Sequence, residues 1–318
     1  MKNLLITGTG GFIFGNFVNY IKNNNLNYNI ICVDKKYAEH ILLGEHEFQY
    51  AADITDVKKI DDIFHTTNPD IIIHGAAETA VDHSIKDPMA HYHTNVIGTG
   101  NLINAAVKYN VKKFVYISTD EVMGHLENDT DPGFTELTQL NPRNPYSASK
   151  ASGELLLTAA ANTYGLKYNI TRCSNNYGPM QTSNKLIPRM IKSVLEGQTI
   201  KIFGEGAQIR DWTHVDDNCA AIIKILTHGR DNEIYNISAN QEYTNITVAK
   251  ALCDIMGKDY STIEMIPDPR PGHDFRYSVN SDKLRKLGWE PKHKLLEESL
   301  HQCVDWYVRY YESNKKFY

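Results

Sequence analysis

The sequence predicts an α/β protein with a doubly wound parallel sheet and a second, smaller lobe of mixed α/β structure. Three observations support this fold class: short and wholly apolar runs, longer amphipathic stretches between them, and a change of composition after about position 172. Wholly apolar runs are typical of parallel strands that are covered on both faces, and their alternation with helical patterns indicates βαβ units. A chain of 318 residues is also long enough for two lobes.

Four apolar runs, each bounded by polar or glycine-containing turns, are the predicted strands of the sheet. They are Leu4–Ile6, Ile30–Val33, Ile71–Ile73 and Phe114–Ile117. After about position 172, Gly, Pro and Asn become frequent while helical patterns continue to recur. We therefore expect a loop-rich lobe that packs against the sheet.

The composition excludes several classes of protein. The 33 basic and 38 acidic residues give a formal net charge of −5, which argues against a protein that binds nucleic-acid polymers. Five scattered cysteines without a C-x-x-C pair indicate neither a disulfide framework nor a cysteine zinc site, and they favour a reducing compartment. No apolar run approaches the roughly 20 residues of a membrane span, and the first strand begins too early for a signal peptide. We therefore expect a cytoplasmic protein without membrane contact.

The glycine-rich turn after the first strand predicts a dinucleotide site. It reads Gly8-Thr9-Gly10-Gly11-Phe12-Ile13. Glycines there permit a tight turn and bring backbone N–H groups close to a pyrophosphate at the N-terminus of a helix, as in a Rossmann fold. Such a turn can also merely reverse the chain, but its place between strand and helix favours the dinucleotide. The third glycine of the usual spacing is replaced by Phe14, which must point away or push the helix outward.

Two aspartates that end predicted strands are candidates for contact with the adenosine half of the cofactor. Asp34 follows the second strand, where a carboxylate can accept hydrogen bonds from both ribose hydroxyls and would repel a 2′-phosphate. This favours NAD over NADP. A role as a helix N-cap fits Asp34 less well, because two lysines follow it. Asp53 could reach the adenine, although the alternative for a lone residue of this kind is a turn aspartate.

Two further motifs indicate catalysis. Ser118-Thr119-Asp120-Glu121 follows an apolar run directly, and polar side chains just past the carboxyl end of a central strand lie at the ligand crevice of such sheets. Tyr146 and Lys150 are four residues apart and so share one helix face. A nearby ammonium lowers the pKa of a tyrosine hydroxyl toward neutrality, which would let Tyr146 act as a base. Taken alone, Tyr146 and Lys150 would indicate an ordinary solvated helix face, and Asp120 and Glu121 a polar turn. Together with the glycine turn, the two motifs indicate an active site.

With these motifs, the sequence resembles the extended short-chain dehydrogenase/reductases, and among them the nucleotide-sugar 4,6-dehydratases of the dTDP-glucose 4,6-dehydratase type. The Thr119-Asp120-Glu121 triplet distinguishes this type, because related epimerases lack the acid pair. The resemblance extends nearly from end to end and includes the segments Ala76–Glu78, Val81–Ser84, Thr94–Thr99, Arg172–Pro179, Lys185–Pro188, Arg210–Trp212 and Arg270–Asp274.

The resemblance implies a role for each catalytic candidate in the NAD-dependent removal of water from a nucleotide-diphosphate glucose. Tyr146 would take the proton of the C4 hydroxyl while NAD⁺ accepts the C4 hydride, with Thr119 bonded to the same oxygen and Lys150 tuning Tyr146 and holding the nicotinamide ribose. Glu121 would remove the C5 proton, and Asp120 would protonate the departing C6 hydroxyl. Return of the hydride to C6 gives a 4-keto-6-deoxy sugar, as in deoxysugar (rhamnose-type) biosynthesis. Two adjacent acids with opposite roles need different environments.

The resemblance also implies which residues contact the ligands. For the cofactor these are Gly8, Gly11, Phe12, Ile13, Asp34, Asp53, Ile54, Ala76, Thr94 and Ser118, together with Tyr146 and Lys150. For the nucleotide sugar they are Ser84, Asn176, Lys185, Leu186, Ile187, Arg210, Asn245, Arg270 and His273. The arginines suit a diphosphate because their planar forks pair with phosphate through two hydrogen bonds. Met123 and Phe203 replace tyrosines of the family, so UDP-glucose remains open beside dTDP-glucose.

The family pattern further implies a division of the chain and an assembly. Residues 1–173 and 204–234 are expected to form the NAD-binding domain, and residues 174–203 and 235–318 the nucleotide-sugar-binding lobe. Two helices near 90–109 and 146–164 are expected to form a homodimer as half of a four-helix bundle.

Two alternatives and one exclusion complete the predictions. A nucleotide-sugar 4-epimerase would share the cofactor and the Tyr146–Lys150 pair but would not need Asp120 and Glu121. A non-catalytic regulator on the same fold commonly loses the tyrosine or the lysine, and both are present here. His91 and His93 are poor ligands for one ion and have no third ligand nearby, so no metal site is predicted.

Overall fold

Seven parallel strands form one sheet in the computed structural model, which describes residues 1–38, 41, 44, 46–268 and 274–314. Their order across the sheet is β10-β6-β5-β4-β1-β2-β3. The strands of this sheet are β1 (Lys2–Thr7), β2 (Tyr28–Asp34), β3 (Glu47–Ala51), β4 (Ile71–His74), β5 (Lys113–Thr119), β6 (Tyr168–Cys173) and β10 (Glu233–Ile237). All neighbouring pairs are parallel, and the predicted fold class is confirmed.

Helices cover both faces of the sheet because successive residues of each strand point to opposite sides. In β1, Leu4 and Ile6 pack on the face that α1 and α8 cover, whereas Leu5 packs on the face of α2, α5 and α6. The helices that precede the smaller lobe are α1 (Phe12–Asn23), α2 (Val57–Thr67), α3 (Val81–Lys86), α4 (Pro88–Tyr92), α5 (Thr99–Lys108) and α6 (Pro145–Tyr164), with a π-helical segment at His93–Gly98 between α4 and α5. Burial on both faces explains why the strands are wholly apolar runs.

The direction in which the strands are added reverses between β1 and β4. From β1 the chain proceeds outward through β2 and β3, and then returns to β4 on the other side of β1. Ligands of open α/β sheets bind at the carboxyl ends of the strands at such a switch point. Here those ends are Thr7 and His74, and they locate the crevice.

The smaller lobe is built on short strands and a separate apolar core. Two small sheets, β11-β9-β7 and β12-β8, occur in the same described residues. Their strands are β7 (Asn175–Tyr177), β8 (Ile200–Phe203), β9 (Ile209–His214), β11 (Glu242–Thr244) and β12 (Ile263–Ile266). The remaining helices are α7 (Leu186–Leu195), α8 (Val215–His228), α9 (Asn245–Ile255), α10 (Asp282–Arg285) and α11 (Leu300–Asn314), and α7, α9 and α11 share one apolar cluster.

Between these segments the chain returns to the large sheet. Helix α8 packs against α1, and β10 pairs with β6 at the edge of the sheet. Among the described helices, none is both long enough and apolar enough to cross a membrane.

Candidate active site

A cavity of about 540 Å³ opens at the carboxyl ends of β1, β4 and β5. It collects nearly all of the predicted cofactor residues and all five catalytic candidates. Those that line it are Gly8, Gly11, Phe12, Ile13, Asp34, Ile54, Ala76, Thr94, Ser118, Thr119, Asp120, Glu121, Tyr146 and Lys150. The motifs that the sequence separates by more than 100 residues therefore meet at the switch point of the sheet.

The glycine turn forms the floor of this cavity. Gly8 has a φ of +84°, and a Cβ on it would lie 2.7 Å from the backbone nitrogen of Ala76, so only glycine fits there. The turn closes through a 3.0 Å hydrogen bond that the Gly11 N–H donates to the Gly8 carbonyl. This close approach of two backbone segments is the cradle that a pyrophosphate needs.

Asp34 faces the same cavity from the end of β2. Its Oδ2 accepts a 2.9 Å hydrogen bond from the Gly10 N–H, and its Oδ1 accepts a 2.7 Å bond from the Lys35 N–H. Both bonds come from backbone, so they hold the carboxylate in place at the cavity wall. A fixed carboxylate at this point suits ribose hydroxyls and repels a 2′-phosphate.

Asp53, in contrast, lines neither this cavity nor the second one described below. Its Oδ1 accepts hydrogen bonds from the Thr55 N–H at 2.9 Å and the Thr55 hydroxyl at 2.8 Å. The other oxygen lies 3.8 Å from the Lys35 ammonium. The contacts of Asp53 are those of a turn aspartate, the alternative that the sequence left open.

Phe14 points inward, toward the sheet. Its ring is buried and lies over Gly75, the residue that follows β4. A Cβ on Gly75 would be 1.9 Å from the ring, so the ring occupies the space of a side chain at position 75. The turn has no glycine at position 14, and Gly75, just after the neighbouring strand β4, provides the space instead.

Asp120 is the more deeply buried of the two acids. It begins a 3-10 turn after β5 (Asp120–Met123), where its Oδ1 accepts a 3.1 Å hydrogen bond from the Thr119 hydroxyl. Its Oδ2 is buried without a hydrogen-bond partner in the described part of the chain. Burial, with the charge of Glu121 adding to it, raises the pKa of Asp120 to about 8. Asp120 is therefore protonated at neutral pH.

Glu121 lies in a different environment. Its Oε2 accepts a 3.1 Å hydrogen bond from the Asn144 side chain. Burial raises the pKa of Glu121, but the Asn144 bond and the charges of Lys185 and Arg210 act in the opposite direction. The two neighbouring carboxyl groups thus differ in what stabilises their ionised forms, as an acid and base pair requires.

Helix α6 brings Tyr146 and Lys150 to the cavity. The helix begins with a capping box, in which the Asn144 side chain accepts from the Ser147 N–H at 2.8 Å and the Ser147 hydroxyl accepts from the Asn144 N–H at 3.2 Å. Both reactive side chains are buried, four residues apart on the inner face. The cap fixes the first turn, and with it the place of Tyr146.

The electrostatics of this pair differ from the prediction. Burial and the charge of Glu121 raise the pKa of Tyr146 well above its ordinary value, so the expected lowering by Lys150 is not observed. Burial also lowers the pKa of Lys150, to about 8. The sequence pattern gives the spacing of the pair but not its desolvation, and desolvation is the larger effect here.

A second cavity, of about 570 Å³, adjoins the first and lies between the two lobes. Of the predicted substrate residues, Lys185, Leu186, Arg210 and Asn245 line it, and Asn176 lines the first cavity. Ser84 and Ile187 are buried and line neither. Arg270 and His273 lie outside the described residues. The two cavities share four residues, namely Val81, Glu121, Asn175 and Lys185.

Several residues of the second cavity were missed by the sequence analysis. The Arg210 guanidinium lies 4.5 Å from the centre of the Tyr277 ring and donates a 2.9 Å hydrogen bond to the Asp274 carbonyl. Arg143 pairs with the Asp274 carboxylate at 3.0 Å. Neither Arg143 nor Tyr277 has a local signal, whereas Asn144 could have been found, since an Asn-Pro pair marks a helix start.

Of the two positions where tyrosine is replaced, one lines the second cavity. Phe203 does so, with the Arg189 guanidinium 5.5 Å from its ring centre. Met123 is buried in a small apolar cluster with Val122, Ala151 and Val279, and it lines neither cavity. Of the two replacements, only the one at Phe203 therefore borders a cavity.

Several histidines lie near other groups that can ligate a metal ion. His91 is buried with its ring 6.4 Å from that of Tyr146. One group of possible donors occurs in the described ranges, formed by His214, Asp216 and His293. The two imidazoles are stacked 4.1 Å apart, and His214 accepts from the Asp216 N–H as the N-cap of α8. His214 thus serves as a helix cap, and His293 lies 3.0 Å from the Asp217 carboxylate.

Comparisons with known proteins agree with this geometry. The NAD dependent epimerase/dehydratase family matches residues 4–238. The dTDP-glucose 4,6-dehydratase of Mycolicibacterium smegmatis is 39% identical over 316 residues, covering 96% of this chain and 92% of that protein. Among solved structures, the dTDP-glucose 4,6-dehydratase DesIV of Streptomyces venezuelae, with NAD and TYD bound, has a TM-score of 0.92 at 35% identity, with 98% of each chain covered.

A UDP-glucose 4-epimerase of Thermotoga maritima is a more distant neighbour, with a TM-score of 0.89 at 32% identity and with 97% of this chain and 99% of that one covered. The dehydratase similarities confirm the resemblance that the motifs predict, and they favour it over the epimerase alternative. The chain belongs to the NAD dependent epimerase/dehydratase family.

Proposed function

We propose that this protein is a hydro-lyase that converts a nucleotide-diphosphate glucose, dTDP-glucose foremost, into the 4-keto-6-deoxy sugar. The observation that carries the proposal is the pair of adjacent acids. Asp120 is held protonated by burial, while Glu121 is hydrogen-bonded by Asn144 at the boundary of the two cavities. An epimerase has no use for such a pair, whereas the removal of water needs one base and one acid.

NAD fits the first cavity by the chemistry of the residues there. Gly8 provides an approach that a Cβ would block, and Asp34 places a fixed carboxylate where ribose hydroxyls are recognised. Bound NAD supplies the redox chemistry of the reaction, which is the acceptance of a hydride from C4 and its return to C6. The family match supports NAD as the cofactor.

The side chains around Tyr146 handle the C4 proton. The ionised Tyr146 takes the proton of the C4 hydroxyl and becomes neutral, and the Thr119 hydroxyl bonds the same oxygen. Lys150, on the same face of α6, stabilises the ionised form of Tyr146, which burial alone disfavours. Because the site is buried, each of these electrostatic interactions is stronger than it would be in water.

Glu121 and Asp120 then perform the elimination. A ketone at C4 makes the neighbouring C5 proton acidic, and Glu121 removes it. The bond that Asn144 donates to Glu121 favours the ionised form that a base needs. Asp120, protonated at neutral pH, gives its proton to the departing C6 hydroxyl, which leaves as water.

The nucleotide diphosphate is assigned to the second cavity. Arg210 and Lys185 supply positive charge there, and the carbonyl hydrogen bonds of Arg210 fix the orientation of its guanidinium. Leu186 and Phe203 supply apolar surface that suits a base. The preference between thymine and uracil therefore depends on these two apolar side chains.

The proposal is tested by incubating the purified protein with dTDP-glucose, UDP-glucose and GDP-mannose and measuring product masses. Loss of one water without added cofactor supports the dehydratase, and the sugar that reacts fastest identifies the base. A product of unchanged mass would replace this function by the epimerase. Phe203→Tyr, which restores the hydroxyl of the family, is the matched variant for the choice between thymine and uracil.

We further propose a homodimer through the helices near 90–109 and 146–164. Apolar side chains are exposed on both elements, among them Met89, Ile97, Leu155 and Leu156. Leu155→Glu should convert the dimer to a monomer in sedimentation, because it places a charge in the apolar contact. Leu137→Glu, at a more exposed leucine outside both elements, should leave the assembly unchanged.

We also propose a division of the chain into two lobes, a cellular location and a metabolic role. The division of the chain into a NAD-binding domain and a nucleotide-sugar lobe agrees with the return of α8 and β10 to the large sheet. A cytoplasmic location is supported by the five cysteines, which are all free and buried. The reaction product would enter deoxysugar biosynthesis.

A further inference from the structure

The ammonium of Lys150 lies over an aromatic ring. Its Nζ is 4.2 Å from the centre of the Tyr116 ring, on the neighbouring strand β5. Lys150 is only 3% exposed, so its charge has lost most of its water. The attraction between an ammonium and the face of an aromatic ring is strongest in such a dry site.

The carboxylate nearest to Lys150 along α6 is engaged elsewhere. Glu154, one helical turn further on, accepts hydrogen bonds from Arg172 at 2.7 Å and 3.1 Å, and both side chains are buried. In the part of the chain that the structure describes, Glu154 adds a favourable charge for Lys150 without forming an ion pair with it. The ring of Tyr116 is thus the group in direct contact with the ammonium.

Tyr116 is itself held firmly. It is fully buried, and its hydroxyl donates a 3.2 Å hydrogen bond to the Lys150 carbonyl. Gly153 makes room for that hydroxyl, since a Cβ on Gly153 would lie 2.2 Å from it. The Tyr116 side chain therefore contacts the backbone of α6 through its hydroxyl and the Lys150 ammonium through its ring.

Three other titratable groups lie around Lys150. On β4, His74 lies behind Tyr116 with 5.6 Å between the ring centres, and burial holds its pKa well below the ordinary value. On β6, burial raises the pKa of the Cys173 thiol to about 12. On α6 itself, burial raises the pKa of Tyr146, so its ionised form needs the charge of Lys150 nearby. Among the described residues, none of the three forms an ion pair with the Lys150 ammonium.

We propose that Tyr116 is a positioning residue, whose ring holds the side chain of Lys150 in place and in its charged form beside Tyr146. This inference rests on the proposed function, in which Lys150 stabilises charge on Tyr146. Tyr116 itself lines neither cavity, so it acts only through Lys150.

The test replaces the ring in graded steps. Tyr116→Phe keeps the ring and removes the hydroxyl, and fluorinated phenylalanines at position 116 keep the shape while withdrawing electron density from the ring face. Tyr116→Leu removes the ring. Each protein is compared by kcat, by KM for the nucleotide sugar, and by the titration of the Lys150 Nζ in ¹⁵N NMR, assigned with Lys150→Arg.

We expect Tyr116→Phe to keep kcat within about twofold and to titrate like the wild type. Increasing fluorination should lower the pKa of Lys150 stepwise, by about one pH unit or a factor of ten at full fluorination, and should lower kcat with KM unchanged. Equal behaviour of Tyr116→Phe and its fluorinated forms would overturn the proposal, even if Tyr116→Leu fails to fold. Absence of water loss in the wild type would instead contradict the proposed function, and the NMR titration would still decide the role of Tyr116.

Discussion

The two cavities are built in different ways. Three short stretches, 8–14, 75–79 and 117–121, supply about half of the lining of the first cavity; the first two directly follow a strand, and the third spans the end of β5. The second cavity instead combines shorter runs from more distant elements, 80–83, 143–145 and 184–186, with single residues such as Asn245 and Tyr277. The sheet topology therefore determines the first cavity, whereas the packing of the two lobes determines the second.

This difference indicates where function is most sensitive to change. Residues of the first cavity are set by backbone turns that tolerate few side chains, as Gly8 shows. Residues of the second are held by long-range contacts, such as those of Arg210 with Tyr277 and Asp274. Glu121 belongs to both cavities, so it should be the position at which one change affects the reaction most.

Glu121→Gln should therefore give the largest loss. The amide cannot remove a proton, and we expect kcat for water loss to fall by about 10²- to 10⁴-fold. Incorporation of solvent deuterium at C5 of the product, followed by mass spectrometry, should fall in parallel. Glu127→Gln, at an exposed glutamate in the same loop, is the control and should keep full activity. Unchanged deuterium incorporation in Glu121→Gln would assign the base to another residue.

Substitutions at Phe14 and Gly75 should have strongly non-additive effects on the free energy of unfolding. Phe14→Ala is expected to lower the free energy of unfolding by about 3–5 kcal/mol, because it leaves a hole. Gly75→Leu alone should cost about 3 kcal/mol or more, because a Cβ at position 75 would lie 1.9 Å from the ring. The double variant should regain at least about 2 kcal/mol over the sum of the two, as measured by urea unfolding. Simple additivity would show that the two positions do not share one space.

The pH dependence of kcat should show whether Asp120 is the acid of the elimination. Asp120 and Lys150 both have a pKa of about 8, one raised and one lowered by burial. Both must be protonated while Glu121 is ionised, so kcat should fall at acid pH as Glu121 takes up a proton, and above the shared pKa of Asp120 and Lys150 it should fall with a slope approaching two on a logarithmic scale. Asp120→Asn should lower kcat about 100-fold and reduce the slope to one. A slope of two in that variant would exclude Asp120 as the acid.

The smallest of these effects should separate the two aspartates. Asp34→Asn is expected to weaken NAD binding by about 10- to 100-fold and to reduce the preference for NAD over NADP, because a charged hydrogen-bond acceptor is lost. Asp53→Asn, the matched control, should change the affinity for NAD by less than about twofold, since Asp53 lines neither cavity. Calorimetric titration measures both, and equal losses would place Asp53 at the cofactor.

Sequence reasoning predicted the first cavity better than the second for a physical reason. A glycine turn or an acid pair after a strand is a local pattern whose place in the fold follows from the sheet. The partner of Phe14 lies 61 positions away, and Arg143 meets Asp274 across an even longer stretch of chain. The direction of the Tyr146 pKa shift was also wrong, because it depends on burial that a spacing of four residues does not reveal.

The ring of Phe14 over Gly75 also constrains the order in which these two residues could have arisen. A benzyl side chain at position 14 beside any residue larger than glycine at position 75 is sterically blocked. Glycine at both positions leaves only an underpacked gap, which a chain can survive at reduced stability. From an ancestor with the usual third glycine, we therefore expect Gly75 to precede Phe14. The aromatic ring would then have repaired a defect already present in the lineage.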